Sequence, residues 1–265
     1  MLVVELGDGR LWCIPQPSHT LQSAAFAVPF GNREFAPARA PLVFGAAVAQ
    51  HDNGWVEIEA EPEITDTGAP TDFLSGPAWP ERLAMWWRGI DRCFAQHPYA
   101  GLLVARHGAL LYRKVLATLD GDEAAATQGF LDAQPEVLER ARNLLGGVPA
   151  WREALADGPL DAATALLAFC DLASLRLCLG WSHVTSLADC PVDEHGTTVA
   201  LRVEVDGDEV ALDPWPFAVD AFEAPVWGRV LDRGRFGSSV EYRAALSEAP
   251  VLERRWRVVN ARTGA

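Results

Sequence analysis

The stretch "PLDAATALLAFCDLASLRLCLGW", residues 159–181, constrains the fold more than any other. Its residues are strong helix formers, Pro159 opens it and Gly180 closes it, so it reads as the longest helix of the chain. A helix that is apolar on most of its faces belongs in the interior. Yet Asp171 falls on the stripe formed by Leu167, Cys170, Ser174 and Cys178. An ionised carboxylate among apolar neighbours is costly unless it is paired or bound to a metal. The rest of the chain must therefore supply Asp171 with a core Arg or His, or with an ion.

A second stretch offers a partner. In "AAVAQHDNGW", residues 46–55, a run of small apolar residues ends in His51 and Asp52 and turns at Gly54. Neighbouring side chains on a helix diverge by about 100°. At a helix end, however, both can reach an ion lying beside the terminus. Imidazole with carboxylate suits Fe, Mn, Zn or Mg better than a thiolate set would. His19 opens the preceding helix, and His107 shares a helical face with Leu103, Leu110 and Leu111. A hydrogen-bonded core pair accounts for Asp171 alone as well as a metal does. It accounts less well for four such residues on four helices.

Around these residues the periodicity is mainly helical. "LVVELGDGRLWCI" reads as a hairpin turning at Gly7-Asp8-Gly9. "PSHTLQSAAFAVPFG" reads as a helix with Ser18 as its N-cap and Leu21, Ala25 and Val28 on one face. "PLVFGAAVAQHD", "PERLAMWWRGIDRCFAQ", "YAGLLVARHGALLYRK" and "FLDAQPEVLERARNLL" read as further helices, and residues 57–79 as a long loop. Beyond about residue 190, "TTVALRVEVDGDEVALDPWPF" alternates around an Asp-Gly turn, and "VWGRVLDRG" and "ERRWRVVNA" read as strands. The expectation is a mainly α single domain, 1–265. Its helical core runs over about 17–182, with an added antiparallel β element from about 1–15 and 195–262.

Composition narrows the function. The chain has 22 basic and 36 acidic side chains, a net charge of −14. Such a surface repels phosphate backbones, so no nucleic-acid partner is expected. The N-terminus lacks a secretory pattern and no apolar run approaches the roughly 20 residues of a membrane span, so no membrane association is expected. Five scattered cysteines without a C-x-x-C pair point to reduced, buried thiols in a cytoplasmic protein. No P-loop, Rossmann fingerprint or G-x-S-x-G elbow is present.

His19, the His51-Asp52 pair and the distant Asp171, in that order, resemble the pattern of the HD-domain superfamily, whose members are helical bundles holding one or two metals. Most hydrolyse phosphate esters and a few are di-iron oxygenases. "QHDNGW", "DFL", "ARHG" and "LLAFCDLASLRLC" resemble more closely an uncharacterised bacterial family, domain of unknown function 3891. The superfamily resemblance implies an HD-like helical bundle with His19, His51, Asp52 and Asp171 as ligands of a divalent metal. His107, and less surely His97, would fill the extra positions of a two-metal member. It implies Asp52 and His107 as catalytic groups acting on a small, anionic, phosphorylated substrate. Arg106, Asn53 and Trp55 are the candidate substrate contacts, and Asp72 and Phe73 either fold over the site or form a plain turn. Two rivals accompany this reading: a di-iron oxygenase, and a binding or regulatory module with a vestigial site.

Overall fold

The computed structural model describes residues 1–180 and 185–261; His183 lies outside them. The chain is an α/β protein, about 51% helix and 21% strand, built on one curled seven-stranded mixed sheet. This corrects the expected mainly α, HD-like helical bundle. The sheet is a full layer of the core and not an addition to a bundle.

The strands are β1 (Leu2–Glu5), β2 (Leu11–Ile14), β3 (Ser186–Pro191), β4 (Thr198–Asp206), β5 (Glu209–Asp213), β6 (Ala221–Leu231) and β7 (Val251–Asn260). Their order is β1-β2-β6-β7-β5-β4-β3. All pairs are antiparallel except β5 with β7, which run parallel. The N-terminal hairpin joins the C-terminal strands through β2 and β6, with Trp12 opposite Val230. β2 is buried on both faces. Trp12 and Ile14 enter the main core, while Leu11 and Cys13 enter a small second core with Phe236 and Tyr242.

The helices are α1 (Gln16–Ala27), α2 (Pro41–Ala49), α3 (Val56–Ala60), α4 (Trp79–Gln96), α5 (Pro98–Val115), α6 (Gly121–Asp132), α7 (Gln134–Leu145), α8 (Pro149–Ala154), α9 (Asp157–Leu179) and α10 (Ser239–Glu248). The segment expected as one helix over 130–145 is two, broken at Ala133 just before Gln134-Pro135. α9 is long and apolar enough to cross a membrane by length and composition, which the sequence reading overlooked. Most of that window is buried inside the protein, where α9 touches α1, α2, α5 and the sheet.

α1 inverts the expected pattern. Its N-cap is Pro15, and Ser18 lies within the helix, where its Oγ accepts from the Trp227 N–H at 3.0 Å. Leu21 and Val28 are exposed, while Ser18, His19, Gln22 and Ser23 are buried with Phe26. The polar face of α1 is turned inward, against β6 and α9. Buried polar groups are tolerated only when bonded, and Gln22 Nε2 donates to the Ala224 carbonyl of β6 at 2.9 Å.

Glycines set the approach of the site-bearing segments. A Cβ on Gly54 would lie 2.2 Å from the Met85 carbonyl oxygen, and one on Gly108 would lie 2.8 Å from Cε3 of Trp86. These positions let the turn after α2 and the middle of α5 lie directly on α4. That brings His51 and His107 toward the same point.

Candidate metal centre

α1, the turn after α2, α5 and α9 each deliver one side chain to a common point. His19, His51, His107 and Asp171 are all buried there, the three imidazoles at 2% exposure or less. Asp171 is the hub. Its Oδ1 lies 2.9 Å from His19 Nε2 and 3.4 Å from His51 Nε2, and its Oδ2 lies 3.4 Å from His107 Nε2. Asp52 reaches the cluster from the side, 3.7 Å from His51 Nε2. The His51-Asp52 pair rides a turn and not a helix, because α2 ends at Ala49 and the backbone leaves helical geometry at Gln50. Both side chains can therefore face one way.

The protonation pattern follows from the surrounding bonds. His51 Nδ1 lies 2.8 Å from the Val48 carbonyl oxygen, which can only accept. The Nδ1 proton is fixed there, and the neutral ring presents a bare Nε2 to the centre. The His19 tautomer is set through Gln22 and Ser174. Gln22 Nε2 donates to a carbonyl, so Gln22 Oε1 is an acceptor, and the Ser174 hydroxyl lies 2.8 Å from it. Ser174 gives its proton to that oxygen or to the His19 carbonyl at 3.0 Å. It then accepts from His19 Nδ1 at 2.7 Å, and the His19 ring turns Nε2 inward to a 2.9 Å contact with Asp171 Oδ1. His107 makes no hydrogen bond to either ring nitrogen, and His51 Nε2 is likewise without one.

Bare nitrogens converging on a carboxylate require a positive charge between them. A proton can serve one ring at a time; a metal serves all of them. Donors about 2.1 Å from one ion, at angles near 90–110°, lie about 3.0–3.4 Å apart. The 3.4 Å separation falls in that range, the 2.9 Å one just below it, and all three ligand atoms lie within 4.8 Å of one another. His19, His51 and Asp171 thus form a buried group that could hold a metal ion. His107 and Asp52 flank it. The donor set suits Fe, Mn or Zn, with second-sphere support from Val48, Ser174 and Gln22. Without metal, burial opposes a charged His51, but the Asp52 carboxylate and then Asp171 overcome it and raise its pKa to about 9. Burial pushes the Asp171 carboxyl upward, yet the His107, His19 and His51 rings gathered around it hold it well below the usual range.

Above the centre opens a cavity of about 400 Å³. His19, Asp52, His107 and Asp171 form its floor, and Trp55, Phe73, Trp79, Trp86 and Tyr112 contribute to its walls. Asp72 caps the turn that carries Phe73 over the site, its Oδ1 accepting from the N–H groups of Leu74 and Ser75. "DFL" is thus both a turn and part of the wall.

The remaining expected residues lie elsewhere. Arg106 points away from its neighbour His107, donates to Thr164 at 3.1 Å, pairs with Asp161 and lines a separate groove. Asn53 does not line the cavity; its side chain joins Gln50 and Arg92. His97 caps α5, accepting from the Tyr99 N–H and stacking on Trp151. It sits ten residues from His107 on the same helix, about 15 Å away at 1.5 Å per residue. His97 cannot complete a two-metal site, which removes the observation the di-iron reading needs. Conversely, Gln16, Arg82, Trp86 and Tyr112 reach the cavity. Helical spacing marked Trp86 only as core.

Fold and site together define an α/β protein with a buried histidine-carboxylate centre beneath an aromatic cavity. The chain belongs to the family described as "Protein of unknown function (DUF3891)", whose model matches residues 1–233. No curated protein and no solved structure matches it.

Proposed function

We propose that the protein is a metal-dependent hydrolase of a small phosphorylated compound. The observation that supports this most is the set of buried imidazole nitrogens around Asp171: among the described residues His51 Nε2 and both nitrogens of His107 have no hydrogen-bond partner, and His107 lines the cavity. A vestigial site would have tied these atoms to protein groups.

A divalent metal held by His19, His51 and Asp171 supplies Lewis acidity, lowering the pKa of water and polarising a phosphoryl oxygen. The chain's own residues do the rest. Asp52 lines the cavity, with its Oδ2 3.7 Å from His51 Nε2. Its carboxylate is placed to accept a proton from the attacking water. His107 also faces the cavity, and its ring can carry a proton to the leaving oxygen. Phe73 and Leu74 cover the opening and restrict water.

The test is phosphate release from 4-nitrophenyl phosphate and from a panel of phosphomonoesters. Tag-free protein is loaded in turn with Mn, Fe(II), Zn and Mg. The expected result is release that stops with chelator and falls about 100-fold or more in Asp52→Asn, the range of a lost general base. Metal-loaded protein that is inert toward every phosphate ester would overturn the reading.

A further inference from the structure

The cavity wall is ordered. From the metal centre, His107 meets Trp86 at 6.0 Å between ring centroids, and Trp86 meets Tyr112 at 6.1 Å. Tyr112 then meets Trp79 at 5.5 Å, and the Arg82 guanidinium lies 5.4 Å from the Trp79 ring. A run of aromatic rings, tilted 50–77° to one another, thus leads from the metal centre to one guanidinium. Among the described residues Arg82 is the only Lys or Arg lining the cavity. Its Nε donates to the Pro77 carbonyl at 3.2 Å and its Nη2 to those of Gly76 and Leu74 at 3.0 and 3.3 Å. Nη1 takes none of these bonds. The group is held by neutral carbonyls, and among the described residues no carboxylate forms an ion pair with it, whereas Arg106 is paired with Asp161.

A cavity with this wall is poorly suited to a sugar, whose hydroxyls would face indole and phenol rings with few partners. We infer that the substrate has a flat apolar body with the scissile phosphate at one end and a carboxylate at the other. The body lies along Trp86, Tyr112 and Trp79. The carboxylate meets Arg82, and the phosphate meets the metal centre. The inference rests on the metal-hydrolase reading for the phosphate end alone.

The test is a ligand series on the metal-loaded, unaltered protein, read by calorimetry and by tryptophan quenching: methylphosphonate, benzylphosphonate and 4-(phosphonomethyl)benzoate. The expectation is a gain of about tenfold or more for the ring, from apolar burial, and again for the carboxylate. In Arg82→Met the second gain disappears and the first remains. A ring that adds nothing, or a carboxylate that adds nothing to the unaltered protein, would overturn the inference. The series decides without the variant, should Arg82→Met fail to fold. Benzoate binding that depends on Arg82, with phosphonate binding insensitive to chelator, would sink the hydrolase reading and leave the body and carboxylate assignments standing. Chelator-sensitive methylphosphonate binding with no gain from the ring would do the reverse.

Discussion

At the residue scale Asp171 organises the molecule. Three imidazoles on three other segments point at one carboxylate, and Asp52 adds a second carboxylate beside His51. Asp171→Ala should therefore cost about 3–5 kcal/mol, the range for breaking a buried charge network by removing one partner. Urea unfolding measures it, and a loss below about 1 kcal/mol would contradict the network. The metal-free protein should also respond to pH. The His51 pKa is raised to about 9 in the folded state. Its contribution to stability is complete below the ordinary value of about 6.5 and fades as pH rises through about 9. The Asp171 carboxyl is held low, so its contribution is present above about 4 and fades as pH falls through the depressed value. The denaturation midpoint of metal-free protein should fall between pH 6 and 10. Saturating metal, which takes the place of the ring proton, should flatten that fall. A midpoint that rises toward pH 10 would contradict the assigned bonding.

At the scale of elements, the site depends on α1 facing inward with its polar side. Ser174 and Gln22 hold the His19 ring in the tautomer that bares Nε2. Ser174→Ala should then lower metal affinity about 10–100-fold with the fold intact, as losses of supporting bonds to ligand imidazoles do. Metal-buffered titration measures it, and an unchanged affinity would remove Ser174 from the centre. Gly54→Ala should cost about 2–3 kcal/mol, since its Cβ would strike the Met85 carbonyl. His51, Asp52 and Asp171 were legible because a charged residue on an apolar stripe demands an explanation. The face of α1 was not, because apolar spacing marked Leu21 and Val28 for the core, while tertiary bonding from β6 and α9 turned the helix the other way. Arg82 was equally hidden, since a lone arginine near a helix start carries no local signal of the cavity above it.

At the scale of the molecule, the lesson is how a sheet assembles from distant parts. The hairpin signals of β1–β2 and β4–β5 were readable from turn residues and alternation. That they share one β element was expected; that it is a mixed sheet forming a full layer of the core was not, because the joining pairs, β2 with β6 and β7 between β6 and β5, are set by long-range register. β7 lies in the middle of the sheet although it falls beyond the 1–233 family match. A chain ending at residue 233 would expose the edges of β5 and β6 and lose Trp256 and Val258 from the core. It should not unfold cooperatively, and a sharp thermal transition in that fragment would show that the strand is dispensable.

His19, His51 and Asp171, flanked by Asp52 and His107, form a group that could hold a metal. Elemental analysis of tag-free protein tests it most directly, beside a His51→Ala, Asp52→Ala double variant, both after reconstitution with Mn, Fe(II) and Zn. The account predicts about one equivalent of metal in the unaltered protein and a loss of most of it in the variant. No metal in either would contradict it and leave the cluster as a proton-sharing core network.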